Sequence, residues 1–219
     1  MRKIQMLSIA LVALTILTAF YFYPMMPEKV ASHWGMSGNP NGYMDRGVGT
    51  FLMPAIAVFV LALFYVMPLV DPKRESYKAF QAEYDGMAAI VLGFLYYVYL
   101  LTAAYNLGYA FNLAQFLAPG FGALFIYVGV VLSKAKSNWF VGIRTPWTLS
   151  SETVWNKTHA LGSKLFMASG VVALLGLFLP IMFVASIAVV LAAAVATFAY
   201  SYVLYVRETK GKGNKKKSK

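Results

Sequence analysis

Twelve consecutive residues, VGIRTPWTLSSE from Val141 to Glu152, gather a guanidinium, four hydroxyls, an indole and a carboxylate in an otherwise apolar chain. His159 follows seven residues later. A serine nucleophile activated by a histidine base is the hydrolytic chemistry such a set offers, and it requires the two side chains to touch. Ser151 and His159 on one helix stand roughly two turns and ~12 Å apart, and Ser150 is no closer. The local dyad is therefore excluded. Arg144 and Glu152 offer different chemistry, an ion pair that would clamp the extended segment around Pro146 onto the helix that follows. A second polar cluster lies between Pro27 and Gly47, where His33 titrates near neutral pH and Trp34 is an amphipathic ring suited to an interface. His33 and Trp34 are read either as ligand contacts or, with Tyr43, as a solvated imidazole between headgroup anchors. Glu28, His33 and Asp45 lack metal-ligand spacing, and the chain contains no cysteine, so no metal site and no cofactor are expected.

The elements that position these residues are set by composition. Of the 219 residues, 60% are hydrophobic and 12% charged, about half the charge of a soluble globule. Uncharged runs cover Ile4–Pro27, Gly47–Val70, Gly86–Ser133 and Leu165–Val206. A membrane span needs roughly 20 apolar residues, so the first two runs hold one helix each and the last two hold a pair each. Breaks are expected near 108–112 and at Pro180. The fold class is thus an all-α membrane protein, a six-transmembrane-helix bundle spanning about 4–23, 49–70, 87–107, 113–132, 163–181 and 184–206. Backbone groups unpaired in lipid cost several kcal/mol each, which favours helices, and the alternation of a barrel is missing.

Lysine and arginine set the orientation. Two lie at the N-terminus, three in 71–85, five in 133–164 and seven in the tail, against only Lys29 and Arg46 on the opposite side. Both termini are therefore expected in the cytoplasm of a multi-pass cell-membrane protein, and the first helix is read as uncleaved. Pro146 favours irregular backbone over 142–148. Ser150 then serves as N-cap of a short amphipathic cytoplasmic helix that starts at Ser151, before helix five. On that helix Glu152, Trp155 and His159 share a stripe, with Trp147 and Trp155 suited to headgroup anchoring. The outer stretch, rich in glycine, proline and asparagine, predicts consecutive turns. Apart from Lys164 at the edge of the fifth, the spans as bounded hold no Asp, Glu, Lys, Arg or His, which weighs against a transporter. Tyr96, Tyr97, Tyr99, Thr102, Tyr105 and Asn106 are read as interfacial aromatics and interhelical hydrogen bonds, or as the lining of a polar crevice. Ala188, Ala192 and Ala196 suit close helix packing. The tail from Gly211 is expected to be disordered and drawn to an anionic leaflet, and the net charge of +11 does not indicate direct nucleic-acid binding.

The run N-W-F-V-G-I-R-T-P-W-T-L-S-S-E-T-V-W-N-K-T-H, Asn138 to His159, resembles the signature of the SdpI family of prokaryotic multi-pass membrane proteins. Asn138, Gly142, Arg144, Thr145, Pro146, Trp147, Thr148, Glu152, Trp155 and His159 match its pattern. The outer loop P-E-K-V-A-S-H-W, with Gly38, Gly42 and Tyr43, resembles a small uncharacterised membrane domain that often precedes the SdpI module. The resemblance implies domains over 1–70 and 71–206 followed by a basic tail over 207–219. It also implies a non-enzymatic role in immunity against a secreted peptide toxin outside, in recruitment of a cytosolic transcriptional repressor inside, or in both. The signature loop would then be a clamp or a docking surface, and His33, Trp34, Gly38 and Tyr43 would be outer ligand contacts. The alternatives are a small-molecule or peptide transporter or exporter, and a membrane-bound enzyme.

Overall fold

The computed structural model describes residues 3–35 and 39–217, with side chains through 211. The expected turn residue Gly38 lies outside the described residues. The elements are α1 (Lys3–Phe22), β1 (Lys29–Trp34), β2 (Pro40–Asp45), α2 (Arg46–Val70), α3 (Gln81–Asn106), α4 (Leu113–Lys134), α5 (Pro146–Ser150), α6 (Glu152–Leu175) and α7 (Pro180–Lys217). A 3₁₀ turn over Arg74–Ala79 separates α2 from α3. Among the described residues, six helices are long and apolar enough to cross a membrane, namely α1 to α4, α6 and α7. Their outer faces carry exposed Leu17, Phe20, Leu69, Leu191 and Val195. Such a surface is at home in lipid and not in water. With six crossings, the two termini and the segments 71–80 and 135–151 share one end of the bundle, the loop end. The hairpin β1–β2 caps the other.

Inside the bundle the contact faces are built from small and hydroxyl-bearing residues. On α1 the buried stripe is Ser8, Val12, Thr15 and Ala19, and the Ser8 and Thr15 hydroxyls donate to the carbonyls of Ile4 and Leu11 one turn earlier. Val12 meets Ala57 of α2 and Leu92 of α3 in one apolar cluster. The closest approach is between α4 and α6. A methyl carbon built on Gly170 would lie 2.6 Å from Ile126 Cγ1 and 2.7 Å from the Gly122 carbonyl oxygen, and one on Gly129 would meet Met167 and the Ser163 carbonyl. Small residues here let two backbones touch, the usual way helices gain packing where lipid is as apolar as the core. Gly170→Ala is expected to destabilise by about 1–3 kcal/mol through overpacking, against a helix-propensity gain of at most ~1 kcal/mol. Gly93→Ala is expected to be neutral or stabilising, since the nearest atom to its new methyl is Leu11 Cδ1 at 3.9 Å. Unfolding of both variants in mixed micelles by titrated sodium dodecyl sulfate checks the contrast.

The structure corrects several expectations. The outer segment is an antiparallel hairpin rather than successive turns, with Lys29 opposite Asp45 and Ala31 opposite Tyr43. The short helix expected to begin at Ser151 is not a separate surface element; it forms the first turns of α6, which runs unbroken to Leu175. Ser150 is not the cap. Ser151 accepts the Val154 N–H there, and Thr145 caps the extra helix α5. Proline 180 opens α7 instead of sitting inside the turn, as suits a residue lacking an N–H. The helix α7 continues beyond Val206, where the last span was expected to end. Helix α3 begins at Gln81 and takes in Glu83 and Asp85, so the spans do contain ionisable residues. Asp85 is buried and receives hydrogen bonds from Gln81 and Gln5. Ala188, Ala192 and Ala196 face outward, and the buried stripe of α7 is Ser186, Ala193, Thr197 and Ser201.

Candidate functional site

At the loop end, the chain between α4 and α6 is held by buried side chains that bond backbone and, at several points, one another. Asn138 is fully buried. Its Oδ1 accepts from the N–H groups of Phe140 at 2.9 Å and Val141 at 2.6 Å, and its Nδ2 donates to the carbonyls of Lys136 at 2.8 Å and Val141 at 2.9 Å. Beside it, buried Asp71 accepts from Lys73 N–H, Tyr77 OH and Trp139 N–H. This ties the end of α2 to the loop 68 residues on. Burial, and then the hydrogen bond to the Asp71 carboxylate, push the Tyr77 phenol well above its usual range. The Lys73 ammonium donates to Ser137 Oγ, and Trp155 Nε1 donates to the Ala135 carbonyl at the end of α4.

Past Asn138 the backbone turns at Gly142, whose φ of +120° is a conformation that favours glycine. The turn aims the Ile143 N–H at His159 Nε2, 3.0 Å away. Nδ1 of the same ring contacts the Trp155 carbonyl at 2.8 Å. The first bond requires Nε2 to accept and the second requires Nδ1 to donate, so the imidazole is neutral with its proton on Nδ1. The ring stacks on Trp155 with centroids 3.9 Å apart. Thr145 and Thr148 then cap α5 reciprocally, each hydroxyl accepting the other residue's backbone N–H. Thr148 also donates to the Ile143 carbonyl. The same Thr145 hydroxyl meets Ser201 Oγ of α7 at 3.0 Å, and Trp147 packs edge-on against Phe198 and at a tilt against Tyr202 of that helix. Ser151 donates to Glu208, also on α7. One loop thereby joins α2, α4, α6 and α7.

The structure brings Asn138, Gly142, Thr145, Trp147, Thr148, Trp155 and His159 into one connected packing unit. Arg144, Pro146 and Glu152 remain exposed. The expected Arg144–Glu152 clamp is absent: the Arg144 guanidinium donates to the Trp139 carbonyl at 2.7 Å. The loop is short enough that the guanidinium reaches that nearby carbonyl, and α5 intervenes before Glu152. A double-mutant cycle at Arg144 and Glu152 is expected to give a coupling below about 0.5 kcal/mol, in the range of uncoupled surface sites. Thermal unfolding of the two single variants and the double variant measures it. Sequence reading missed Asp71, Tyr77, Ser201 and Glu208. The signal available was Asp71, an acid directly after the last apolar residue of a span.

At the opposite end, the hairpin is seated on the helices. The Asn106 side chain bonds both the N–H and the carbonyl of Ala31, at 2.7 and 3.1 Å, as a neighbouring strand would. Val30 presses on Gly49, where a methyl carbon would lie 2.6 Å from Val30 Cβ. His33 is exposed and its Nδ1 pairs with Asn41 Oδ1, while Tyr43 is exposed. Lys29 and Asp45 form an exposed ion pair across the open end, and the hydrogen bond from the Lys29 ammonium holds the Asp45 carboxyl below its usual range. Trp34 turns back onto Tyr105, edge-to-face at 5.4 Å. Beneath it lies a cavity of about 310 Å³ between β1 and helices α2, α3 and α4. The Trp34 and Tyr99 side chains border it; among the described residues their Nε1 and hydroxyl are buried without a hydrogen-bond partner, a condition that ordinarily costs about 1–3 kcal/mol per group.

Residues 134–201, which hold the loop, α5, α6 and most of α7, match the model of the SdpI/YfhL protein family. Residues 10–58, which hold most of α1, the hairpin and the first half of α2, match a domain of unknown function (DUF1648). The chain is 30% identical over 207 residues to Immunity protein SdpI of Bacillus subtilis (strain 168), covering 93% of this chain and 96% of that protein. No solved structure matches. A similarity running almost end to end, through the hairpin, the signature loop and all six long helices, identifies the chain as a member of the SdpI family.

Proposed function

We propose that this immunity-type membrane protein protects its cell against a secreted peptide toxin, with both termini and the signature loop in the cytoplasm. The near end-to-end similarity to an immunity protein is the observation that carries the reading. The lysine and arginine asymmetry supports the orientation, since only Lys29 and Arg46 lie at the hairpin end. In this reading the signature loop is a lock that fixes α2, α4, α6 and α7 to one another. Its buried side chains direct their hydrogen bonds to the protein's own backbone and to one another. The hairpin end is the face that meets the toxin. The exposed edge of the loop, with Arg144, Pro146, Glu152 and Trp139, is the surface for a cytosolic regulator if the protein also signals.

An enzymatic reading has no support in the geometry, because both His159 nitrogens are engaged by backbone and Ser151 pairs with Glu208. A transport reading gains the buried Asp85, which lines a cavity of about 180 Å³ with Gln5, Ser8 and Gln81, but the near end-to-end similarity to an immunity protein favours the first reading. Deleting the gene and challenging cells with secreted peptides of related and competing strains tests the proposal. Greater killing of the deletion strain, reversed by the plasmid-borne gene, is expected. Unchanged sensitivity to every peptide, with no regulator recruited to the membrane, would overturn it.

A further inference from the structure

Three lysines meet at one cleft beside the signature loop. Lys134 ends α4, Lys136 lies two residues on, and Lys164 stands on the facing side of α6; all three line a space of about 410 Å³. No aspartate or glutamate lines it. The three lysines are exposed, and among the described residues none of them has an ion pair or a side-chain hydrogen bond. Ser163 lines the same cleft and is only 5% exposed. Its hydroxyl also has no hydrogen-bond partner among the described residues, yet it is not sealed from the surface as the Thr158 hydroxyl is. A buried hydroxyl of this kind ordinarily has a partner, from the protein, from water or from a ligand.

The cleft sits where the helices leave the membrane. Gly129 of α4 packs on the Ser163 carbonyl of antiparallel α6, which puts Lys164 one to one and a half turns, roughly 5–8 Å, nearer the bilayer middle than Lys134. The long stem of a lysine lets its ammonium rise back toward the surface, so the three charges converge at headgroup depth. Ammonium groups at that depth are costly unless an anion meets them. Toward the bilayer middle, the exposed stripe of α6 continues from Lys164 through Ala168, Val171 and Leu175, an apolar lane open to lipid. We propose that this cleft binds the phosphate of an anionic phospholipid, held by Lys134, Lys136 and Lys164, with Ser163 donating a hydrogen bond to a phosphate oxygen and an acyl chain lying along Ala168, Val171 and Leu175. A free phosphate would meet the same cations and leave the lane uncovered, so the source is the bilayer. The bound lipid spans the seam between α4 and α6 and braces it. The site requires only that the chain crosses a bilayer, and it stands apart from the immunity reading.

The test uses the full chain in nonionic detergent micelles, titrated with dioleoylphosphatidylglycerol or dioleoylphosphatidylcholine and followed by native mass spectrometry and by thermal midpoint. Retention of one phosphatidylglycerol in preference to phosphatidylcholine is expected, with a rise in the midpoint. Lys164→Gln is expected to weaken that binding about fivefold, and Lys134→Gln, Lys136→Gln and Lys164→Gln together about a hundredfold, the fold-changes of single basic residues near an anionic headgroup. Ser163→Ala is expected to weaken it about threefold, as one lost hydrogen bond does. Lys157→Gln removes an exposed charge of α6 outside the cleft and is expected to change nothing. Lys164→Arg keeps the charge and is expected to retain the lipid, so the question stays answerable if the triple variant misfolds. Equal retention of the two lipids overturns the site. So does an equal loss in Lys157→Gln and Lys164→Gln, the mark of general surface charge. Binding and stabilisation by inorganic phosphate as strong as by phosphatidylglycerol would overturn the assignment to a lipid. A deca-glutamate peptide bound more tightly than phosphatidylglycerol through the same lysines would overturn it in favour of an acidic protein partner.

Discussion

Asn138→Ala is expected to destabilise the protein by roughly 3–5 kcal/mol, among the largest effects of a single polar substitution. The carboxamide serves four backbone groups, the N–H of Phe140 and Val141 and the carbonyls of Lys136 and Val141, and also faces Tyr77 OH. Alanine supplies none of these bonds. Each group left buried and unpaired costs about 1–3 kcal/mol, and the part of the loop that can reach water recovers some of that. Asn138→Asp is no rescue. It keeps the acceptor, removes both donors, and sets a second carboxylate beside Asp71 around the same Tyr77 hydroxyl. Denaturant titration of the detergent-solubilised protein measures both variants, and a loss under 1 kcal/mol for Asn138→Ala would contradict the account.

Gly142→Ala is expected to be nearly as damaging, by a different route. A side chain at a φ of +120° is strained by about 1–3 kcal/mol before it touches anything. The added methyl would also overlap His159 Nε2 and press on Trp155. Relief means moving the imidazole, which breaks the bond to Ile143 N–H and the stack on Trp155. The expected total is about 3–4 kcal/mol, combining strain, overpacking and one buried donor left unpaired. A nitrogen-15 chemical-shift measurement on the His159 ring gives a structural readout. The wild type should show a protonated Nδ1 and an unprotonated Nε2, and Gly142→Ala should lose that fixed tautomer.

Much of the fold was legible in the sequence because lipid imposes a simple rule: long uncharged runs must become helices. The runs ending at Val70 and Ser133 located their helix ends to within a residue, and Gly108 fell in the turn between α3 and α4. Charged residues misled where the helices begin. Glu83, Asp85, Lys157 and His159 were read as lying outside the spans, yet α3 and α6 carry them in their opening turns. The hairpin was hidden for another reason. Residues 29–45 are rich in glycine, proline and asparagine, and what makes two strands of them is distant. Asn106 bonds Ala31 from 75 positions away, and Gly49 admits Val30.

The signature residues were legible as a set, and their work was not. Arg144 and Glu152 look like an ion pair by spacing, whereas the carbonyl of Trp139 lies closer to the guanidinium. Asp71 and Tyr77, which anchor Asn138, sit 67 and 61 positions before it, and no local pattern announces them. The alanine repeat on α7 marked the face turned away from the bundle, because hydroxyl residues such as Ser186 and Thr197 were buried in its place.

The central claim is that the signature loop serves immunity as a lock on the bundle, while its exposed edge is dispensable for protection. Survival of a toxin-challenged deletion strain, complemented with Glu152→Ala or Asn138→Ala and normalised to the amount of protein in the membrane, tests it most directly. The account predicts wild-type level and full survival for Glu152→Ala, and for Asn138→Ala a fall in survival that follows the fall in folded protein. Loss of protection by Glu152→Ala at wild-type abundance would contradict it.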